Sequence, residues 1–214
     1  MENLIIKNGC PENYKDAEFA AREAFWNLYR PGCDEHYTTH RIWEHQDFLP
    51  ELFYVALHNN KLVGFIVYTK SYLKGKSNPA RIETVTFGPV CILPEYQHQG
   101  IGTKLIQTSM KEVDNFNYPA IVILGDPHNY CRHGFRNCKD YKISDRDGKY
   151  PLGQLVHIFD ENIIKNGSWE YFYSDVYNID LEEVEKFEQN FSLKEKKHQH
   201  SQDLFKMMIR AYIE

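Results

Sequence analysis

Hydrophobic and polar positions follow two periods along this chain, and each change of period marks an element. Ala17, Ala20, Ala21, Ala24 and Leu28 recur three or four residues apart, which predicts a helix from Tyr14 to about Tyr29 with a small-residue face suited to close packing on a sheet. Asn13 and Asp16 fit its start, and Pro31-Gly32 ends it. A shorter helix is expected from Glu35 to about Glu44. The apolar runs 53–57 and 62–68, separated by His58-Asn59-Asn60-Lys61, read as a hairpin because adjacent Asn residues tolerate positive φ. Residues 74–79 read as a loop, and a strand follows from Arg81 towards Leu93, interrupted by Pro89, where ladder pairing should fail or bulge. Ile101, Leu105, Ile106, Met110, Val113 and Phe116 then return to helical spacing, residues 120–124 to a buried strand, and residues 152–159 to another.

The last quarter continues the pattern without a linker. Residues 169–173 read as an added strand, Asp180-x-x-Glu183 as a capping box ahead of Leu181, Val184, Phe187 and Phe191, and Lys194-Glu195-Lys196-Lys197 as solvated. Ser201 is placed to cap a last helix carrying Leu204, Phe205, Met208, Ile209 and Tyr212. The expected organisation is a core over residues 1–160 and an extension over 161–214 packed on it. A chain of 214 residues can bury such a core in one domain. The five cysteines are odd in number and lack a C-x-x-C pair, unlike a disulfide framework. The run Met1-Glu2-Asn3-Leu4-Ile5-Ile6-Lys7 breaks too early for a secretory signal, and no apolar stretch reaches the roughly 20 residues that span a bilayer, so the expectation is cytoplasmic, with no membrane partner. A formal charge of −5 argues against a nucleic-acid partner.

Chemistry concentrates between Gln97 and Thr103. Gly100 and Gly102 let a ligand approach the backbone, and the helix that follows leaves first-turn amides without intrahelical partners, so this turn is a candidate anion site. The turn satisfies neither G-x-x-x-x-G-K-[ST] nor G-x-G-x-x-G, which weighs against ATP and dinucleotides. The spacings of Cys131, His133 and Cys138, and of His198 and His200, match no standard zinc site, and no metal is expected.

The order strand, Pro94, Gln97-x-x-Gly100-x-Gly102, helix, strand 120–124, then Tyr130 four residues before Gly134-Phe135, closely resembles the two signatures of the GNAT N-acetyltransferase superfamily. The tail 182–197, residues 32–37 and residues 86–90 further resemble a bacterial branch of that superfamily with a C-terminal extension, although Asn129 and His133 stand where the branch carries aromatic residues. The resemblance implies an α/β (α+β) GNAT fold: a mixed, mostly antiparallel sheet splayed between two central parallel strands, helices on both faces, and a C-terminal strand-helix extension. It implies acetyl-CoA as co-substrate and direct ternary-complex transfer of an acetyl group to a primary amine of a small-molecule acceptor. Backbone of Val90, Cys91 and Ile92 would meet the pantetheine arm, and Gln97, His98, Gln99, Gly100, Ile101, Gly102 and Thr103 the pyrophosphate, with Arg132 and Lys104 as extra cations or plain surface charges.

Tyr130 matches the position of the general acid, with a Tyr packed beneath CoA or at a helix end as the other reading. A glutamate base would fall eleven residues before Gln97, where Thr86 stands; Glu83 is the nearest substitute on that strand, on the opposite parity unless a bulge resets it, while His128, Asp126, Glu35 and His36 are other candidates. Cys91 lacks a matched His base and reads as a small buried side chain. The negative charge weakly favours a cationic amine as the acceptor. A homodimer is compatible with the sequence. The alternatives are a non-catalytic acyl-CoA-binding or regulatory module on the same fold and an interaction protein whose extension binds a macromolecule.

Overall fold

The computed structural model describes residues 3–76, 80–164 and 167–214. Met1, Glu2 and the Ser77-Asn78-Pro79 part of the expected loop lie outside them. Along the chain come β1 (Leu4–Asn8), α1 (Tyr14–Phe25), α2 (Glu35–Ile42), β2 (Tyr54–His58), β3 (Lys61–Gly75), β4 (Arg81–Ile92), α3 (Ile101–Asn115), β5 (Ala120–Leu124), the single turn α4 (Pro127–Tyr130), β6 (Arg136–Asn137), β7 (Ile143–Ser144), β8 (Gln154–Ile158), α5 (Glu161–Ile164), β9 (Trp169–Tyr173), α6 (Leu181–Glu188) and α7 (His200–Met208). Among the described residues the strands form a sheet ordered β1-β2-β3-β4-β5-β8-β6, with β9 beside the far half of β3 and β7 beside β9. Pairing is antiparallel except for β4 with β5 and β7 with β9.

Period-2 burial on the central strands divides the interior between the two faces. On one, Val63, Ile66, Tyr68, Val85, Phe87, Ile121 and Ile123 pack with Ile101, Leu105, Ile106, Met110 and Val113 of α3. On the other, Val55, Phe65, Val67 and Cys91 pack with Ala17, Ala20, Ala21 and Ile42 of α1 and α2. A third cluster joins Leu73, Ala120, Val122 and Val156 to Ile164, Trp169 and Tyr171 from beyond residue 160. The segment after Asp160 is therefore part of the sheet and of its core.

Several expected boundaries move, each for a local reason. α1 ends at Phe25 instead of near Tyr29, because Asn27 takes φ +61° and its Oδ1 accepts from Gly32 N–H (2.9 Å) and Lys197 N–H (3.0 Å), which turns the chain. α2 closes at Ile42 rather than near Glu44. β3 runs on to Gly75 since its polar second half has β4 on one edge and β9 on the other. Asp180 caps α6 by accepting from Glu182 N–H (2.9 Å), but Glu183 pairs with Lys186 (2.6 Å) instead of closing a capping box, and Phe191 falls beyond the helix. Ser201 is not the cap of α7: that position is Gln199, and the Ser201 hydroxyl donates to Leu28 carbonyl (2.7 Å). Leu204, Ile209 and Tyr212 are exposed, so α7 docks by Gln202 and Phe205 instead of by the expected stripe.

Candidate acyl-transfer site

The site begins where two parallel strands part. β4 and β5 share a registered pair only at Val85↔Ile121, and beyond it they diverge. On its other edge β4 stays paired to β3 as far as Ile92, but Gly88 and Pro89 together face Val67, a bulge between the pairs Tyr68↔Phe87 and Ile66↔Val90. Thus Pro89 bulges the ladder without ending the strand. The extra residue also resets the alternation: Val85 and Phe87 face α3 before it, and Val90 and Ile92 face α3 after it.

The same alternation decides which peptide groups reach the open edge. Leu93 N–H donates to Val63 carbonyl (2.8 Å), so residues 91 and 93 point towards β3, and residues 90 and 92 point away from it. Ile92 carbonyl accordingly accepts from the Gln97 side-chain amide (3.0 Å). This corrects the expectation for Cys91: its peptide groups belong to the β3 ladder, and its buried thiol is driven upward in pKa by desolvation. Val90 and Ile92 keep backbone on the open side.

At the mouth of the split, Gln97 N–H returns to Pro94 carbonyl (3.3 Å), so Gln97 holds the turn with both its amide and its side chain. His98 and Gly100 both take left-handed backbone, φ +59° and +80°. A Cβ at Gly100 would meet no atom within 4 Å, so this glycine answers to its φ and leaves open space above the turn. The first bond of α3 runs from Lys104 N–H to Gly100 carbonyl (3.1 Å), and the amides of Ile101, Gly102 and Thr103 have no partner within the helix. Three amides without a partner among the described residues, at the positive end of a helix of 15 residues, suit a diphosphate. His98 and Gln99 are exposed beside them, as are Lys104 and Arg132; Arg132 lies on the turn 131–133 that packs against α3.

Tyr130 enters from the β5 side. Its ring packs against Phe87 of β4 (5.6 Å between centroids) and Phe135 (6.0 Å), and it crosses so close to Gly125 that a Cβ there would fall 2.5 Å from the ring. Burial first, with a smaller effect of the neighbouring Tyr29 and Asp126, drives its phenol above the ordinary value, so it stays protonated at physiological pH. The two Gly-Phe signature partners are thereby explained: Phe135 is buried under Tyr130, and Gly134 takes φ +86°.

Glu83 is not in this group. It is exposed, pairs with Arg81 (2.6 Å) and lies before Val85, at the closed end of the split. Seven residues of extended chain, roughly 23 Å, separate it from Val90. Thr86, at the position where the resemblance places a glutamate, is bonded to the Tyr171 hydroxyl, which in turn donates to Val122 carbonyl (3.1 Å). Tyr171 of β9 thus bridges β4 and β5 one residue past their last pair and forms the floor of the split. Tyr177, also from the extension, donates to Gly88 carbonyl (3.1 Å) and lies 3.1 Å from the Thr69 hydroxyl, bracing the bulge from outside. Spacing gives no sign of these contacts, because the partners are 85 and 89 residues apart.

Among the other base candidates, His36 is fully buried, with Cys33 Sγ 3.3 Å from its Nδ1 and Glu188 3.0 Å from its Nε2. His128 is exposed, and its N–H is received by Asp126 (2.9 Å), the cap of α4. Glu35, the first residue of α2, has its carboxyl pushed up to about 8, chiefly by burial and then by the charge of Asp34. A separate group, His45, Asp47 and Asp175, brings its ligand atoms within 4.8 Å. The His45 ring is already engaged, Nε2 with Asp175 (3.0 Å) and Nδ1 with Asp47 N–H (3.1 Å). Among the described residues no helix is long and apolar enough to cross a membrane.

Comparison with known proteins agrees with this architecture. The sequence model of the Acetyltransferase (GNAT) family matches residues 22–135, more than half of the chain. The Escherichia coli (strain K12) protein named uncharacterized N-acetyltransferase YjhQ is 30% identical over 97 residues, 45% of this chain and 52% of that protein. YhbS of the same strain, likewise named an uncharacterized N-acetyltransferase, is 27% identical over 75 residues, 35% of this chain and 42% of that protein. The matched part therefore spans about half the length of these relatives. Among solved structures, YhbS from Escherichia coli in complex with CoA aligns with a TM-score of 0.72 at 19% identity, covering 83% of this chain and 93% of that one. A GNAT family acetyltransferase from Brucella melitensis in complex with acetyl-CoA aligns with a TM-score of 0.65 at 18% identity, covering 83% and 99%. The family match spans the strand split, the glycine turn and the Tyr130 segment together, and the chain belongs to the acetyltransferase (GNAT) family.

Proposed function

We propose that this protein transfers the acetyl group of acetyl-CoA directly to a primary amine of a small-molecule acceptor within a ternary complex. The observation that carries the reading is the parting of β4 from β5 after one registered pair, with the unpaired amides of residues 101–103 at its mouth. The solved relatives named above hold CoA or acetyl-CoA, which is the chemistry these features suit.

The residues present fit such a co-substrate. Amides 101–103 and the dipole of α3 would take the pyrophosphate, with Arg132 and Lys104 at hand as cations. The outward peptide groups of Val90 and Ile92 would pair with the amide-rich pantetheine arm, and Tyr171 limits how deep it can enter. An N–H on the bulged segment near Val90 would stabilise the carbonyl oxygen as it gains charge. Tyr130 would hand its phenolic proton to the departing thiolate, whose conjugate acid has a pKa near 8.5.

Isothermal titration with CoA, followed by thiol release from acetyl-CoA across a panel of primary amines, tests this. Saturable binding and a saturable acceptor are expected. No affinity for CoA overturns the reading; affinity with silence across the panel favours the non-catalytic acyl-CoA-binding module.

A further inference from the structure

We propose that α7 and residues 211–213 form a strap across the acceptor opening of the split, which admits small-molecule amines and shuts out amines carried on a polypeptide; the assignment rests on the acetyltransferase reading. The amides that suit the pyrophosphate open α3, and Tyr130 packs with the cluster on the α3 face, so the body of the co-substrate belongs on that side of the sheet. An amine then has to reach the thioester from the opposite side, where α1 packs. The strap is anchored there at both ends. At its start, the Ser201 hydroxyl donates to Leu28 carbonyl (2.7 Å), Gln202 Nε2 donates to Asn27 carbonyl (2.9 Å), and the Phe205 ring stacks on Tyr29 with 4.4 Å between centroids. These three partners form the turn that follows α1. At its far end, Ala211 carbonyl accepts from Leu152 N–H (2.9 Å), Ile213 N–H donates to Tyr150 carbonyl (2.8 Å), and Lys149 Nζ lies 5.1 Å from the centre of the Tyr212 ring. Residues 150–153 run into β8 beyond its last pair with β5, Gln154↔Leu124, and Gly153 carbonyl accepts from Gly125 N–H (2.8 Å). Gly125 is the residue against which the Tyr130 ring lies. The strap thus ties the turn after α1 to the C-terminal end of β5, where the acid candidate sits.

Burial separates this role from core building. Among residues 192–214 only Gln202 is buried, and Leu204, Met207 and Ile209 on α7 and just beyond it are exposed. A helix that adds so little to the interior is held by directional bonds at its two ends, and its position is what those bonds fix. Size then decides what passes. A helix with its side chains is about 10–12 Å across, so a polypeptide outside the strap is kept at least that far from the split. A lysine amine reaches only about 6 Å from its own backbone, which is too short to cross that distance. Threading a chain beneath the strap would require breaking one of the anchors. A free small amine needs neither step.

The test uses the full chain and two variants that each loosen one anchor, Phe205→Ala at the start and Ile213→Pro at the far end, with thermal melting to confirm folding. Proline removes the N–H that Tyr150 carbonyl receives. The probe acceptors are 2-phenylethylamine, 1,4-diaminobutane and an extended peptide with one lysine and a blocked N-terminus. By thiol release from acetyl-CoA, the wild type should favour the small amines over the peptide by about 100-fold or more in kcat/KM, and each variant should narrow that ratio about 10-fold with CoA affinity unchanged. Calorimetry of the same acceptors against the CoA complex reads the selection without turnover and should give the same order. Equal use of peptide and small amine by the wild type, an unchanged ratio in either folded variant, or no binding of any of these acceptors to protein that does bind CoA overturns the strap and leaves CoA binding standing. Failure of the wild type to bind CoA would instead sink the acetyltransferase reading, and the role of the strap with it.

Discussion

Tyr130 reaches the cleft because residue 125 has no side chain. The 2.5 Å gap between a virtual Cβ at Gly125 and the ring means that Gly125→Ala must displace the tyrosine, whereas Tyr130→Phe leaves the packing with Phe87 and Phe135 and removes only the hydroxyl. Tyr130→Phe should reduce thiol release about 100-fold with CoA affinity, by calorimetry, within twofold of the wild type. Gly125→Ala should give the same division with an additional fall in melting temperature, since the ring must leave its packed site. Equal losses of turnover and CoA affinity in Tyr130→Phe would assign the tyrosine to binding instead. At this scale the sequence identified the acid candidate by its distance from Gly134-Phe135. The Glu83 candidate failed because counting along a strand gives parity and distance but not which end of the split a residue occupies.

At the scale of elements, the tail is the main departure from what pattern alone suggests. The charged run 194–197 is solvated at its side-chain tips, yet its backbone straps α1: Glu195 carbonyl accepts from Trp26 Nε1 (2.9 Å) and Asn27 Nδ2 (3.0 Å), and Lys194 pairs with Glu23 (2.7 Å). Arg22, 1% exposed, joins α1 to α6 through Glu188 and to the tail through Ser192 carbonyl. Arg22→Met should cost about 3–5 kcal/mol in urea unfolding because it strands Glu188 in the interior, and adding Glu188→Gln should recover part of the loss. Ending the chain after Asp160 would remove Trp169, Tyr171, Val176 and Val184 from the interior and uncover the far half of β3. Such a truncation should bind a hydrophobic dye and show no cooperative melting; a cooperative transition would mean that residues 1–160 fold on their own.

Over the whole molecule, two buried groups shape the dependence of stability on pH. Burial holds His36 neutral down to about pH 4, against 6.5 for an unperturbed imidazole. Below 6.5 the unfolded chain takes up a proton that the folded chain refuses, so the His36 contribution is lost as pH falls from 6.5 towards 4. Glu35 acts in the other direction: as pH rises from 4.5 to about 8 the unfolded chain ionises while the folded chain keeps its proton, and stability declines over that window. Urea unfolding of Glu35→Gln should match the wild type near pH 4, exceed it increasingly up to about pH 8, and run parallel above. An identical pH dependence in the two proteins would show that Glu35 is solvated in the folded state.

What the sequence by itself determined was local. The glycine turn and its free amides, the apolar faces of α1 and α3, the hairpin of β2 and β3 and the bulge at Pro89 all arise from residues within a few positions of one another, where period, φ preference and a missing N–H act directly. Only the tertiary structure decided what crosses long stretches of chain. It placed Tyr171 at the floor of the split, Tyr177 behind the bulge and Arg22 against Glu188. Such contacts depend on how sheet order folds residue 171 back onto residues 86 and 122, and no periodicity along the chain encodes that meeting.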